Sequence, residues 1–358
     1  MSERTPTVQL SPPNWPMRAS LAILALIALL CLIGPLVLGH PYDQVYRDYV
    51  LVRPSLFAHP DATETREALE AITRRMRVAI EASREEDGVV RITLSSAKPL
   101  DHRALRAFER SDVFGRPWIV ETTDEGRRLS IDVPLKREVF LFGTDANGRD
   151  LFTRTLIAGR VSLAVGLLAS FVALTIGVAY GAVAGYAGGR VDALMMRIVE
   201  IVYALPFIFF VIVLVMVFGR HFALIFVTIG AVEWLDMARI VRGQTLSIKQ
   251  RDFVAAAEAL GASAPSILWR HVIPNASGPI LAYLAVLVPR VILLESFVSF
   301  LGLGVQEPLT SWGVLVADGA RNIQGSIHLL IFPALFLGAT LGALQSLGDG
   351  WRARGLDG

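Results

Sequence analysis

The ionisable residues lodged in long apolar stretches are the first candidates for chemistry. Arg290 and Glu295 share one such stretch, Glu233 and Asp236 another, and Arg197 and Glu200 a third. A charged group at membrane depth is costly and is a functional candidate by default. Arg290 and Glu295 are five positions apart, on different faces of a helix, so they are not expected to pair with each other. Glu295 then has two readings: a structural polar contact, inside the bundle or with a partner chain, or a lining group of a pathway. The other four lie near the ends of their stretches, where snorkelling or pairing between helices accounts for them.

Other chemistries find no residues. The sequence has no Gly-x-x-x-x-Gly-Lys-Ser/Thr loop, no His-Glu-x-x-His and no serine elbow. The single cysteine, Cys31, lies in an apolar run, so neither a disulfide nor a cysteine metal site arises within one chain. Asp145, Asn147 and Asp150 carry oxygens, but their spacing departs from an EF-hand loop. A turn at Asn147-Gly148 that caps the next helix reads better. His271 has no second His or Cys nearby and is expected to make a contact or a cap, not to bind a metal. The net charge is +2, with no basic stripe interleaved with aromatics, so no nucleic-acid partner is expected. No catalytic residue and no metal ligand is assigned.

The elements that position these groups belong in a lipid bilayer. Of 358 residues, 53% are hydrophobic and 18% charged, and the charges are segregated. The pattern predicts an all-α polytopic membrane protein with six transmembrane helices, at about 19–38, 162–186, 193–218, 222–240, 278–302 and 327–347. Pro206 marks a kink in the third. The expected organisation is a tail (1–17), a first transmembrane helix (18–39), an extracytoplasmic insert (40–142), a core with five transmembrane helices (143–350) and a tail (351–358). Gly166, Gly177, Gly181 and Gly185 allow helices to approach closely. The segment 149–160 mixes Leu151, Phe152, Leu156 and Ile157 with Arg154 and Arg160, as an interfacial helix does.

The insert reads as a small α+β unit. Asp61 and Glu64 open a helix whose apolar face is Leu69, Ile72, Met76 and Ile80. Val90, Ile92 and Leu94 alternate with Arg91 and Thr93 as a half-buried strand. A short helix at 104–110 follows Asp101, and 118–122 and 129–133 flank a hairpin turn at Asp124-Glu125-Gly126.

Orientation follows from the short loops. Arg190, Arg239, Arg242, Lys249, Arg251, Arg270, Arg352 and Arg354 fall on one side, against mainly Arg220 and Arg321 on the other. The positive-inside rule puts both termini and the loop 242–277 in the cytoplasm. In that loop, 253–260 is rich in helix formers, and Gly261 can end the helix in the left-handed conformation. Pro265 opens a second short helix and Pro274 is expected to close it. Two short helices on a membrane face suit docking better than chemistry, and a bare connector would need neither this composition nor this length.

Four stretches carry a resemblance. They are Gly143-Thr-Asp-Ala-Asn-Gly-Arg-Asp-Leu-Phe-Thr-Arg154 with Gly159-Arg-Val-Ser-Leu163; Gly188-Gly-Arg-Val-Asp192 with Met195-Met-Arg197 and Tyr203-Ala-Leu-Pro206; Ala256-Ala257, Gly261 and Pro274 at the spacing of an "EAA" signature; and Ser299-Phe-Leu-Gly-Leu-Gly-Val-Gln-Glu-Pro-Leu-Thr-Ser-Trp-Gly313. The tail Leu347-Gly-Asp-Gly350 with Leu356-Asp357 also fits. The chain resembles the inner-membrane permease subunits of bacterial ATP-driven importers for dipeptides and oligopeptides, over roughly 143–358. The insert is outside the resemblance and larger than the usual outer loop.

The resemblance implies the binding-protein-dependent permease fold in the bacterial inner membrane. It implies a second homologous permease, forming a heterodimer, two cytoplasmic ATPase subunits and an extracytoplasmic peptide-binding protein. ATP and magnesium would belong to the ATPases, and this chain would bind no cofactor. In that family the EAA loop is the coupling helix, which seats in a groove of the ATPase. Carried over, Ala255, Ala256, Ala257, Glu258, Gly261, His271 and Pro274 form the coupling element. The family's motif glutamate falls at Ala255 here, and Glu258, one turn on, is the candidate replacement. Relatives of this kind also carry nickel, glutathione or peptide antibiotics. An ion-coupled secondary transporter is the alternative from another class, and Glu295 is its one good acidic candidate. The insert reads as a stabilising cap, or as a docking surface or gate.

Overall fold

The structure, a computed structural model, describes residues 15–219 and 221–355. Most of the expected tail 1–17, Arg220, Leu356 and Asp357, and the side chains of Arg352 and Arg354, lie outside the described residues. In chain order the elements are α1 (Trp15–Val37), α2 (Ala62–Met76), β1 (Ala79–Glu86), β2 (Val89–Ser95), α3 (Arg106–Glu109), β3 (Trp118–Thr123), β4 (Arg128–Pro134) and α4 (Leu151–Ala187). They continue with α5 (Gly189–Tyr203), α6 (Phe207–Phe218), α7 (Phe222–Lys249), α8 (Asp252–Ala259), α9 (Ala264–Ile267), α10 (Ile273–Asn275), α11 (Ser277–Phe300), α12 (Trp312–Arg321) and α13 (His328–Gly355). The chain divides into two units, one of residues 38–154 with 322–329, the other of the remainder.

The first unit is built on an antiparallel sheet in the order β1-β2-β4-β3. β2 alternates as its sequence demands, with Val90, Ile92 and Leu94 buried opposite Val133, Ile131 and Leu129 of β4. Phe108, Phe114 and Phe140 complete the core. α2 starts with a full capping box between Asp61 and Glu64. It ends at Met76, where Arg77 turns left-handed, so Ile80 lies in β1 and not on the helix face. The helical spacing of Ile80 is a coincidence that strand pairing with Leu94 overrides. Asp101 caps a helical turn by accepting from the Arg103 N–H at 2.9 Å. Arg91 on β2 clasps Asp132 on β4 through two bonds of 2.8 Å.

In the same unit, the segment 143–150 is a turn held by Asp145. One of its oxygens accepts from the N–H groups of Asn147 and Arg149 at 2.8 and 2.9 Å, and Gly148 sits at φ +75°. Asp150 then accepts from the Thr153 N–H at 2.8 Å and caps α4. Its carboxyl is pushed above the ordinary carboxylate range by burial, against the opposing hydrogen bonds from Thr153.

In the second unit the backbones of α4 and α7 nearly touch. A Cβ on Gly177 would lie 2.6 Å from that of Met237, one on Gly185 2.8 Å from the Arg242 carbonyl oxygen, and one on Gly230 2.8 Å from the Val172 Cβ. Only glycine permits that approach. α4 is continuous from Leu151 to Ala187, so the separate interfacial helix expected at 149–160 does not form. No breaker interrupts the helix there, and the charge of Arg160 is absorbed by another route. Pro35 in α1 has no N–H for the Cys31 carbonyl, and Arg160 donates to that oxygen and to the Leu32 carbonyl at 2.6 Å each.

Among the described residues, α1, α4, α11 and α13 are each long and apolar enough to cross a membrane. α5 and α6 together make a fifth only as a broken span, bent by 83° at Ala204–Pro206, where a single kinked helix was expected. Pro206 has no N–H to continue the helix, which accounts for the break. α7 holds Glu233, Asp236, Arg239, Arg242 and Lys249 and does not reach the same apolar standard.

Two outcomes follow. The clasp on Arg91 holds the Asp132 carboxyl below the usual carboxylate range, so its contribution to folding is complete above the unfolded pKa of about 3.9. That contribution disappears as pH falls through the lower folded value; amide exchange in β2 and β4 of the whole chain is expected to accelerate there in the wild type, and an Asp132→Asn variant to show a weaker acid dependence. Gly181→Leu drives a side chain into the Ala238–Arg242 backbone and forces α4 and α7 apart. Overpacking of this kind costs about 1–3 kcal/mol, and a lower melting temperature in detergent is the expected readout.

Candidate functional site

The loop after α7 is tied to the end of α4 before it turns. Lys249 donates to the Tyr186 carbonyl at 2.6 Å and lies over the Tyr186 ring at 4.9 Å. The Tyr186 hydroxyl in turn donates to Glu258 at 2.9 Å. Arg242 makes a two-pronged pair with Asp192 at 2.5 Å, and Arg239 lies 4.3 Å from the Tyr203 ring, so α5 is fastened to the same helix.

α8 ends as the sequence predicts. Gly261 takes φ +78°, its N–H bonds the Glu258 carbonyl and the next N–H bonds the Ala257 carbonyl, the paired pattern of a glycine-terminated helix. Pro265 opens α9. Pro274 does not close a helix. It sits at the start of α10, and the backbone continues helically through Ala276 into α11. A widened turn at Leu268–Val272 makes room for the proline, with the Ile273 N–H reaching the Leu268 carbonyl. The Asn275 side chain bonds the His271 carbonyl at 2.6 Å. The His271 ring lies 6.3 Å from that of Phe253, a contact role.

Burial divides the loop into two faces. Val254, Ile267, Val272 and Ala276 are buried in the helical core. Ala255, Ala256, Glu258, Gly261 and Pro274 are exposed, and Ala257 and His271 half-buried. Leu260 is 88% exposed and Trp269 71%, beside exposed Arg251 and Arg270. The loop is thus packed on its inner face and leaves two large apolar side chains on its outer face. The sequence motif does not single out Leu260 and Trp269; the available signal is their apolar character on a segment otherwise polar enough to leave the membrane.

The charged residues of the apolar stretches find partners as well. Arg290 pairs across to α7, with Glu233 at 3.3 Å and Asp236 at 3.0 Å. Glu295 faces elsewhere, as its spacing from Arg290 requires. It is fully buried and accepts from Ser299 at 2.7 Å and Ser162 at 3.0 Å. The loop residues and Glu295 are therefore two sites, at opposite ends of α11.

Comparison with known proteins agrees on one family. Residues 177–353 match the model of the binding-protein-dependent transport system inner membrane component. The oligopeptide transport system permease protein OppC of Haemophilus influenzae is 50% identical over 238 residues, 66% of this chain and 76% of that protein. The dipeptide transport system permease protein DppC of Bacillus subtilis is 47% identical over 210 residues, 58% of this chain and 66% of that protein. The glutathione transport system permease protein GsiD of Pectobacterium atrosepticum is 35% identical over 210 residues, 59% and 70% of the two chains.

A side chain at Gly261 is strained whatever space surrounds it, by about 1–2 kcal/mol. Gly261→Val is expected to open the α8–α9 turn to limited proteolysis near 260–264, with the protection of α11 unchanged.

Proposed function

We propose that this chain, which belongs to the binding-protein-dependent transport system inner membrane component family, is a peptide permease subunit of an ATP-driven importer. The relatives named for oligopeptide and dipeptide transport support the cargo class. The chain performs no bond chemistry in this reading. It forms half of a path with a second, related permease, and two ATPases dock from the cytoplasm. An extracytoplasmic binding protein delivers the peptide, and the nucleotide and its magnesium stay on the ATPases. The fold is read with six membrane crossings, counting α7 and the broken α5–α6 pair, with both termini in the cytoplasm. The insert is read as a cap on the outer side.

One observation carries the mechanism. The loop from α8 to α10 is anchored inside by Val254, Ile267 and Val272 while Leu260 and Trp269 face outward, and it passes without a break into α11. A groove on the ATPase that receives Leu260 and Trp269 would move α11 as it closes, by rigid-body transmission. Glu258 holds the loop to Tyr186, which gives it a positioning part without requiring it at Ala255. The glutathione permease relative supports a second cargo, a tripeptide of the same chemical class.

The test is capture of the ATPase. Leu260→Asp and Trp269→Asp, made separately, are expected to weaken ATPase binding by about thirtyfold each, as loss of a central apolar anchor does. Normal insertion in the membrane should be retained. Equal capture by wild type and both variants would refute the docking assignment.

A further inference from the structure

The carboxyl of Glu295 is the most enclosed charge-bearing group whose work the docking loop does not explain. It lies far along α11, 18 residues from Ser277, which is about 27 Å of helix. Its contacts are hydroxyls. Ser299 and Ser162 donate to its two oxygens at 2.7 and 3.0 Å, and Ser296 approaches at 3.5 Å. Ser162 stands on α4 and has a second task, accepting the backbone N–H of Trp312 at 3.2 Å. The carboxyl thus joins α4 to α11 and, through Ser162, reaches the start of α12.

The packing around this junction is equally tight. Trp312 is fully buried, and its indole N–H donates to the Thr155 carbonyl at 3.0 Å. A Cβ on Gly313 would lie 2.5 Å from the Ser296 Cα, one on Gly304 2.5 Å from the Ser299 Cα, and one on Gly159 2.7 Å from the Trp312 ring. The chain after α11 therefore folds back along α11 itself, and Gly304 and Gly313 bring it against Ser299 and Ser296, the neighbours of Glu295.

We propose that Glu295 is a positioning residue for transport. Its carboxyl fixes the Ser162 hydroxyl, which in turn holds the Trp312 N–H at the end of the folded-back segment 301–311, so this segment follows the helix that the cytoplasmic loop drives. The inference rests on the transporter reading above. A group that positions through hydrogen bonds is replaceable by an amide, which donates to and accepts from the same hydroxyls. A group needed for its charge or proton is not.

The experiment uses the complete importer, with Cys31→Ser removing the only native cysteine of this chain. Leu309→Cys, on the exposed part of the segment, reports its mobility by reaction with a water-soluble maleimide. Loss of hydrogen bonds to a charged group corresponds to about tenfold or more in an equilibrium. Glu295→Ala is therefore expected to raise the labelling rate about tenfold and lower peptide-stimulated ATP hydrolysis about tenfold, with basal hydrolysis nearly unchanged. Glu295→Gln is expected to stay within about threefold of wild type on both. The proposal is overturned if Glu295→Gln fails as Glu295→Ala does, or if Glu295→Ala leaves labelling unchanged. Should Glu295→Ala not assemble, Ser162→Ala removes the bond from α4 to the carboxyl together with the acceptor of the Trp312 N–H, and labelling that does not rise overturns the proposal as well. Labelling needs no peptide, so a wrong cargo would abolish stimulation in the wild type and leave this readout intact.

Discussion

The near-contact of the α4 and α7 backbones is the constraint on which the helical unit depends. Gly177, Gly181 and Gly185 on one helix and Gly230 on the other remove the side chains that would hold the two apart. With no hydrophobic force between helices in lipid, close van der Waals contact is the available attraction. That contact also decides where polar groups go. Arg242 reaches Asp192, Lys249 reaches the end of α4, and the carboxylates of Glu233 and Asp236 reach Arg290 on α11. Each charge is held by a neighbouring helix.

From this base the loop gains its stiffness. Its inner face is packed, its turn is closed by a left-handed glycine, and its bond to Tyr186 returns it to α4. The widened turn before Pro274 lets the loop enter α11 as continuous helix. On the proposed reading, that continuity converts a push on Leu260 and Trp269 into a displacement of α11, and the hydroxyl cluster at Glu295 passes the displacement to the folded-back segment.

Much of this was legible in the sequence because it rests on local rules. The capping box at Asp61, the alternation in β2, the glycine end of α8 and the separate faces of Arg290 and Glu295 follow from periodicity and backbone preference. The departures have tertiary causes. Ile80 obeys the sheet, Pro274 is absorbed by a turn of different pitch, and Arg160 serves a carbonyl left open by a proline on another helix. The strong bend at Pro206 was signalled in position and not in size. Ser299 stands one turn on from Glu295, at legible helical spacing, but Ser162 comes from 133 positions before it. No local pattern brings Ser162 and Glu295 together.

The central claim is that the loop and α11 move as one body when the ATPase closes. Spin labels at Ala264 and Leu281, both exposed and neither a docking side chain, measure this directly in the assembled importer with and without a trapped nucleotide. The account predicts that their separation stays within about 2 Å across the cycle while the distance between the Ala264 label and the ends of other helices changes. A change of several ångströms between the two labels themselves, with the rest of α11 unmoved, would contradict it.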